Sequence, residues 1–145
     1  MAPASTKPLP PTVPVSELGR FPLILPGPSE GLRILMEVVA AQAGIRLNMK
    51  IEADAFNSIR LLVEDGHGYS VLPYPAVQLE VERGMFQISR LVQPEVTRRL
   101  VLATCPARIP AAGLNELVRL IRKVAQETIR AVPADRPAAA AKAVG

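Results

Sequence analysis

The sequence predicts an α/β fold, in which strands and helices alternate along the chain. Apolar strands are predicted at residues 21–25, 47–53 and 69–72, and segments with helical spacing of apolar residues lie between them. This order of elements is typical of parallel strands joined by crossover helices. Hydrophobic residues make up 49% of the chain and aromatic residues only 3%, a composition that suits an aliphatic core.

The first predicted strand, residues 21–25, is a continuous apolar run, as expected of a strand covered on both faces. Prolines and a glycine at 26–28 turn the chain, and Ser29 is the predicted N-cap of the following helix. Gly44 is predicted to end that helix in the left-handed conformation. The apolar stripe of the helix comprises Leu32, Leu35, Met36, Val39, Ala40 and Ala43.

The second predicted strand, residues 47–53, alternates apolar and polar side chains, which indicates one buried and one exposed face. Asp54 stands at the N-cap position of a second helix, and Gly66 is predicted to end that helix. Residues 69–72 form the third predicted strand. A short helix over 76–83 ends at Gly84 and leads to a strand at 85–92.

The two ends of the chain differ in composition from its body. Residues 1–16 are rich in proline, with five prolines in the first fourteen residues, and we expect this arm to be extended and poorly ordered. A strand at 98–104 and a long helix over 113–132 are predicted to complete the folded part. The Ala-rich tail, 133–145, has too little apolar bulk to dock firmly.

Several functional classes find little support in the sequence. No apolar run approaches the roughly 18 residues of a membrane span, and the arm lacks the apolar core of a secretion signal, so we expect a cytoplasmic protein with no membrane contact. The chain has one histidine and one cysteine, which gives nucleophilic or metal chemistry few groups to use. We therefore expect no enzyme activity, no metal and no cofactor. His67 is predicted at the surface and Cys105 in the core.

The downstream ends of parallel strands meet at one edge of a sheet, where small ligands bind in folds of this class. Gly27 and Ser29 begin a helix there, so that free amides can hold an anion. The alternative for Ser29 is an ordinary helix cap, and the same alternative holds for Asp54. Tyr74 is either a ligand contact or a half-buried ring.

Three segments together resemble the effector-binding domain of LysR-type transcriptional regulators. They are residues 22–33 (PLILPGPSEGLR), 62–73 (LVEDGHGYSVLP) and 98–104 (RRLVLAT), with Ala43 and Gly44 between the first two. The resemblance covers about residues 17–131 and implies a lobe like those of type II periplasmic binding proteins. The motif LILP followed by GLR is similar to the subgroup that includes nitrogen assimilation regulators.

The resemblance also implies how the chain is divided. Residues 17–95 correspond to the second lobe of the effector-binding domain, and residues 96–132 to the return strand and closing helix of the first lobe. The DNA-binding domain and the first half of lobe one have no counterpart here, so we expect a carboxyl-terminal fragment that does not itself contact DNA. Without its partners, the strand at 98–104 is expected to favour self-association or marginal stability.

The resemblance implies a small-molecule effector, most simply an anionic metabolite, bound in a cleft between lobes to control transcription. The alternative is an interaction module that forms homodimers, or that pairs with full-length relatives and interferes with their assembly without binding DNA itself. Residues 32–43 and 47–53 are then the expected contact surfaces. The candidate effector-binding residues are Gly27, Ser29, Asp54, Phe56, Pro73, Tyr74 and Thr104.

Overall fold

The computed structural model describes residues 1–4, 7–98, 101–103 and 111–130. These residues fall into two compact units, within Met1–Val96 and Thr97–Asp135. Strands and helices alternate in the first unit, which agrees with the predicted α/β class. Its elements are β1 (Ala2–Pro3), β2 (Thr12–Pro14), β3 (Leu23–Leu25), α1 (Gly31–Gln42), β4 (Met49–Glu52), α2 (Phe56–Glu64), α3 (Gln78–Glu82), β5 (Phe86–Gln87) and β6 (Arg90–Val92), with 3₁₀ helices at Val15–Arg20 and Tyr74–Ala76.

Strand β3 is the centre of the first unit. It pairs in parallel with β4, and on its other side Tyr69 forms a parallel bridge with Leu23. The Ile24 amide donates to the Tyr69 carbonyl at 2.7 Å, and the Tyr69 amide donates to the Pro22 carbonyl at 2.8 Å. The third predicted strand is thus reduced to one bridge, but its chain runs parallel to β3 as expected.

Both faces of β3 are covered, which confirms the interpretation of its continuous apolar run. Leu23 and Leu25 face α1 and pack with its buried residues. Ile24 points to the opposite face, where it packs against α2 and α3. All three side chains are at most 1% exposed, so this short strand carries apolar burial on two sides. The buried partners on the α1 face are Leu32, Met36 and Val39, and those on the other face are Ile59, Val63, Val77, Val81 and Phe86.

Three glycines end the helices as predicted. Gly44, Gly66 and Gly84 have φ values of 68°, 79° and 75°, a region that residues with a Cβ rarely adopt. After each glycine the next amide reaches back over the last helical turn; the Ile45 amide, for example, donates to the Ala40 carbonyl at 3.0 Å. This is the Schellman arrangement.

Two later elements are shorter than predicted. The helix expected over 76–83 is divided at Val77 into the 3₁₀ helix Tyr74–Ala76 and the helix α3. The strand expected over 85–92 is divided into β5 and β6, which pair with different partners. Because β5 and β6 pair with different segments of the chain, they form two short strands rather than one.

The arm at residues 1–16 differs from its prediction. Strand β1 pairs antiparallel with β5, and β2 pairs in parallel with β6. The side-chain carbonyl of Gln87 accepts from the Leu9 amide at 2.9 Å. Proline lacks an amide donor but keeps its carbonyl, and the edge strands β5 and β6 use the arm as their partner.

The second unit is described at Thr97, Arg98, 101–103 and the helix α4 (Ala111–Arg130). The predicted return strand at 98–104 does not form at Arg98 or at 101–103, where the structure has no strand. The remainder of that segment lies outside the described residues, as does the predicted tail at 133–145. Helix α4 confirms the predicted long helix, with bounds shifted by two residues at each end.

Candidate functional site

The turns that follow β3 and β4 meet at one edge of the first unit. The Ala53 amide donates to the Leu25 carbonyl at 3.2 Å, which holds the ends of the two strands together. Beyond them, the Gly27 amide donates to Oδ1 of Asp54, also at 3.2 Å. A Cβ on Gly27 would lie 2.9 Å from the same oxygen, so a larger residue there would require the Asp54 carboxylate to move away from this amide. The structure therefore brings Gly27 and Asp54 together at the edge where the sequence predicts a ligand.

Ser29 does not cap α1. The N-cap is Glu30, and no side chain forms a capping hydrogen bond there. Ser29 is exposed and lies in a turn that the Glu30 amide closes by donating to the Gly27 carbonyl at 3.0 Å. Because this turn sets where the helix begins, the prediction of Ser29 as the cap is wrong by one residue. Among the described residues, no side chain caps the first turn of α1.

Asp54 does not cap α2 either. The N-cap is Ala55, again without a side-chain hydrogen bond, because the Asp54 carboxylate instead accepts from the Gly27 amide. Phe56 is the first residue of α2 and is 44% exposed. A large apolar side chain two residues after Asp54 thus has much of its surface in water.

Pro73 and Tyr74 follow the residues that run parallel to β3. Pro73 is the N-cap of the 3₁₀ helix. The half-buried Tyr74 ring packs against the core on the α2 face of β3, and its hydroxyl is buried with no hydrogen-bond partner in the described part of the chain. No described contact joins Pro73 or Tyr74 to the Gly27–Asp54 pair, although the parallel chain direction leads toward the same edge.

Other predicted residues take no part in this edge. Thr104 and Cys105 lie outside the described residues. His67 is exposed, as predicted, and its carbonyl accepts from Nζ of Lys50 at 2.7 Å. In the described ranges, no three His, Cys, Asp or Glu side chains are grouped so that they could hold a metal ion.

Sequence reasoning missed Arg33, which joins the elements at this edge. Its Nη1 donates to the Pro26 carbonyl at 3.4 Å and to Glu52 at 3.0 Å, and its Nε donates to Glu37 at 2.8 Å. Burial alone lowers the pKa of the Arg33 guanidinium, but the hydrogen bonds to Glu37 and Glu52 outweigh it and raise the pKa above its ordinary value. The available signal was the i,i+4 spacing of Arg33 and Glu37 on a helix.

The site therefore consists of two strand-end turns joined by a hydrogen bond, a neighbouring arginine and an uncapped helix start. Such an edge can bind a small molecule through hydrogen bonds.

Within the described residues, no helix combines the length and hydropathy required to cross a membrane.

Comparison with known proteins identifies the family. Residues 2–126 match the LysR substrate binding domain. No curated protein matches the chain. Domains of this family have a type II periplasmic-binding-protein-like α/β fold, sense effectors and belong to transcription regulators rather than to enzymes. The mixed α/β structure of the first unit agrees with that fold. The chain belongs to the LysR substrate-binding domain family.

Proposed function

We propose that the chain binds a small effector at the edge formed by the turns after β3 and β4, and that this binding controls transcription in a LysR-type regulator. The observation that carries the proposal is the 3.2 Å hydrogen bond from Gly27 to Asp54. It holds two turns from different strands at the position where ligands bind in α/β sheets. The proposed site in the first unit comprises Gly27, Ser29, Asp54, Phe56, Pro73 and Tyr74; the candidate Thr104 lies outside the described residues.

The chemistry of the edge favours an anionic effector with a hydrogen-bond donor. The first-turn amides of α1 have no capping side chain, and free amides at a helix start attract negative charge. The Gly27 amide already donates to Asp54, so the anion would bind at the amides that follow Glu30. The carboxylate of Asp54 would accept a donor on the same ligand, such as an amine.

The finer subgroup is also a proposal. The motif LILP at 23–26 followed by GLR at 31–33 leads us to place the chain near nitrogen assimilation regulators. Nitrogen and sulfur metabolites are therefore the first compounds to test. A cytoplasmic location is consistent with a role in transcription.

A melting-temperature screen against small anions and nitrogen or sulfur metabolites tests the sensing proposal. A ligand that prefers the folded state raises the free energy of unfolding with the logarithm of its concentration over Kd, by about 2.7 kcal/mol at one hundred times Kd. We expect one compound to raise Tm by several degrees, and Gly27→Ala to reduce that shift, because the added Cβ, 2.9 Å from Asp54 Oδ1, would displace the carboxylate from the site.

The matched control is Gly113→Ala, since a Cβ at Gly113 meets nothing within 4 Å. This variant should keep the full ligand shift. If Gly27→Ala and Tyr74→Phe both keep the shift of the identified compound, the ligand binds elsewhere and the proposed site is wrong.

The second candidate function is an interaction module that pairs with itself or with full-length relatives. Two apolar side chains on α1 favour it, because Ile34 is 52% exposed and Val38 is 49% exposed. Exposed aliphatic residues on one helix are typical of a contact surface. Absence of any ligand shift, together with capture of an intact regulator by the chain, would favour this function over sensing.

A further inference from the structure

The first unit contains a groove between α2, α3 and the start of β5. Its volume is about 280 Å³, which is close to the lower limit of about 300 Å³ for small-molecule sites in proteins. All of its lining residues belong to the first unit, and none of them is part of the proposed effector site. The groove is lined by Asn57, Arg60, Leu61, Glu64, Glu80, Met85 and Phe86.

Arg60 holds the elements around the groove together. Its guanidinium pairs with Glu80 of α3 and donates to the side-chain carbonyl of Asn57. It also donates at 3.4 Å to the Ala76 carbonyl, in the 3₁₀ helix that precedes α3. The Arg60 side chain is only 28% exposed and that of Glu80 only 18%. Arg60 therefore has its charged partner within the protein.

Glu64 lines the same groove but has no charged partner. It follows Arg60 by four residues on α2, a spacing that ordinarily allows opposite charges to pair on a helix. Arg60 instead pairs with Glu80, and no ion pair or hydrogen bond joins the Glu64 side chain to another described residue. Two carboxylates and one guanidinium line the groove, which leaves one negative charge. The groove therefore favours a cation.

The rest of the lining is mostly apolar and partly exposed to water. Leu61 is 61% exposed and Met85 is 36% exposed. Phe86 is buried beside them in the core on the α2 face of β3. Removal of apolar side chains from water is favourable roughly in proportion to the area that is covered. The groove therefore also favours an apolar group on the same ligand.

We propose that this groove is a second ligand site, for a small molecule that joins an ammonium group to an apolar body. The ammonium group pairs with Glu64, and the apolar body covers Leu61 and Met85. An anion of the same shape is disfavoured, because it meets the unpaired Glu64 carboxylate. This inference goes beyond the proposed function, since the groove lies apart from the effector edge and selects the opposite sign of charge.

NMR titration of the isotopically labelled full chain with phenethylamine tests the proposal. We expect a Kd of about 1–10 mM, as is usual for so small a ligand, and the largest shift changes at the amides of residues 57–64, Met85 and Phe86. Phenethyl alcohol, which has the same apolar body without the charge, should bind about two- to fivefold more weakly. Hydrocinnamate, which carries a carboxylate in place of the ammonium group, should bind more weakly still.

Three substitutions test the residues of the groove. Glu64→Lys should weaken phenethylamine binding by about tenfold, because attraction is replaced by repulsion. Leu61→Gln should weaken it by about two- to fivefold through loss of apolar contact. The matched control is Glu82→Lys, at an exposed residue of α3 that does not line the groove, and it should leave the Kd unchanged. All three side chains are exposed, so Tm of each variant should stay near that of the wild type.

Four results would overturn the proposal. The first is the absence of phenethylamine binding up to about 50 mM, well above the expected Kd. The second is equal binding of phenethylamine and hydrocinnamate, which would show that the groove does not select charge. The third is an equal loss with Glu64→Lys and Glu82→Lys, which would indicate a general attraction of cations to the surface. The fourth is a loss with Asp54→Asn but not with Glu64→Lys, which would place the amine at the effector edge. Because the titration needs no effector, a failed effector screen leaves its outcome unaffected.

Discussion

The Gly27 amide and the Asp54 carboxylate, 27 residues apart, meet at 3.2 Å and join the turn after β3 to the turn after β4. The Asp54 carboxylate therefore does not cap the start of α2, although its position in the sequence predicts a cap. This hydrogen bond fixes the position of one turn relative to the other, so we expect a substitution at either residue to change the structure of both turns.

Asp54→Ala should lower the free energy of unfolding by about 0.5–1 kcal/mol, the usual net value of one hydrogen bond. The effect is small because the bond is exposed. Chemical denaturation followed by circular dichroism measures it. Asp65→Ala, at another exposed aspartate, is the control and should change stability by less. Equal effects of the two changes would contradict a specific role for the Gly27–Asp54 bond.

Gly68→Ala should destabilise the first unit by about 1–3 kcal/mol, the range for forcing extra atoms into a packed site. The new Cβ would lie 2.6 Å from the Pro22 carbonyl oxygen and 3.1 Å from Cγ1 of Ile24. That carbonyl accepts from the Tyr69 amide, so the clash would disturb the bridge between Tyr69 and β3. Urea denaturation of the full chain measures the loss.

Gly113→Ala provides the comparison for Gly68→Ala. A Cβ at Gly113 has no neighbour within 4 Å, and alanine favours a helix over glycine by up to about 1 kcal/mol. This variant should therefore be as stable as the wild type or slightly more stable. A Gly68→Ala variant that unfolds at the wild-type urea concentration would show that the Tyr69 bridge is not needed.

Ile24→Ala should cost about 2–5 kcal/mol, as for other aliphatic truncations in cores. Ile24 is fully buried and packs against α2 and α3, so truncation leaves a cavity between the sheet and two helices. Ile34→Ala removes the same atoms at a side chain that is 52% exposed and should cost within about 0.5 kcal/mol. Similar costs for the two variants would mean that β3 is not the centre of the core.

The stability of the chain with a free amine at Met1 should rise between about pH 6 and about pH 8. The amine donates to the Ser70 carbonyl at 2.8 Å, and its burial lowers its pKa from 8.0 to about 6. The folded state thus disfavours the charged amine. The free-energy cost of burying the charged amine is absent above the pKa of the unfolded chain, where the amine is neutral in both states. This cost is complete below about pH 6, where the amine is protonated in both the folded and the unfolded state.

The expected change is on the order of 2–3 kcal/mol, from 1.36 kcal/mol per pKa unit. Denaturation at a series of pH values measures it. Acetylation of the amine removes its charge, so the acetylated chain should lose this part of the pH dependence, whatever its absolute stability. Identical pH profiles for the free and acetylated chains would contradict the prediction.

Local patterns in the sequence predicted much of the fold. The alternation at 47–53 is confirmed, since Leu47, Met49, Ile51 and Ala53 are half-buried while the residues between them are exposed. The three glycine helix ends are confirmed as well. These features depend on side-chain periodicity and on backbone sterics within a few residues, which the sequence displays directly.

The site was predicted less completely. Gly27 and Asp54 were expected at one edge and do meet there, but both helix caps were assigned one residue too early. A cap prediction compares only neighbouring acceptors and donors. Such a prediction does not include the hydrogen bond that the distant Gly27 amide donates to the Asp54 carboxylate. It also does not include the hydrogen bonds by which Arg33 joins α1 to the ends of β3 and β4.

The sequence by itself determined the α/β class, the order of the elements, the glycine stops and the doubly covered strand β3, because these follow from local sterics and apolar periodicity. Only the tertiary structure decided which strands the proline-rich arm pairs with, as in the register of Ala2 with Gln87, and which acceptor the Gly27 amide finds. The physical reason is that each of these choices joins groups far apart in sequence. Their partners are selected by packing of the whole unit rather than by neighbouring residues.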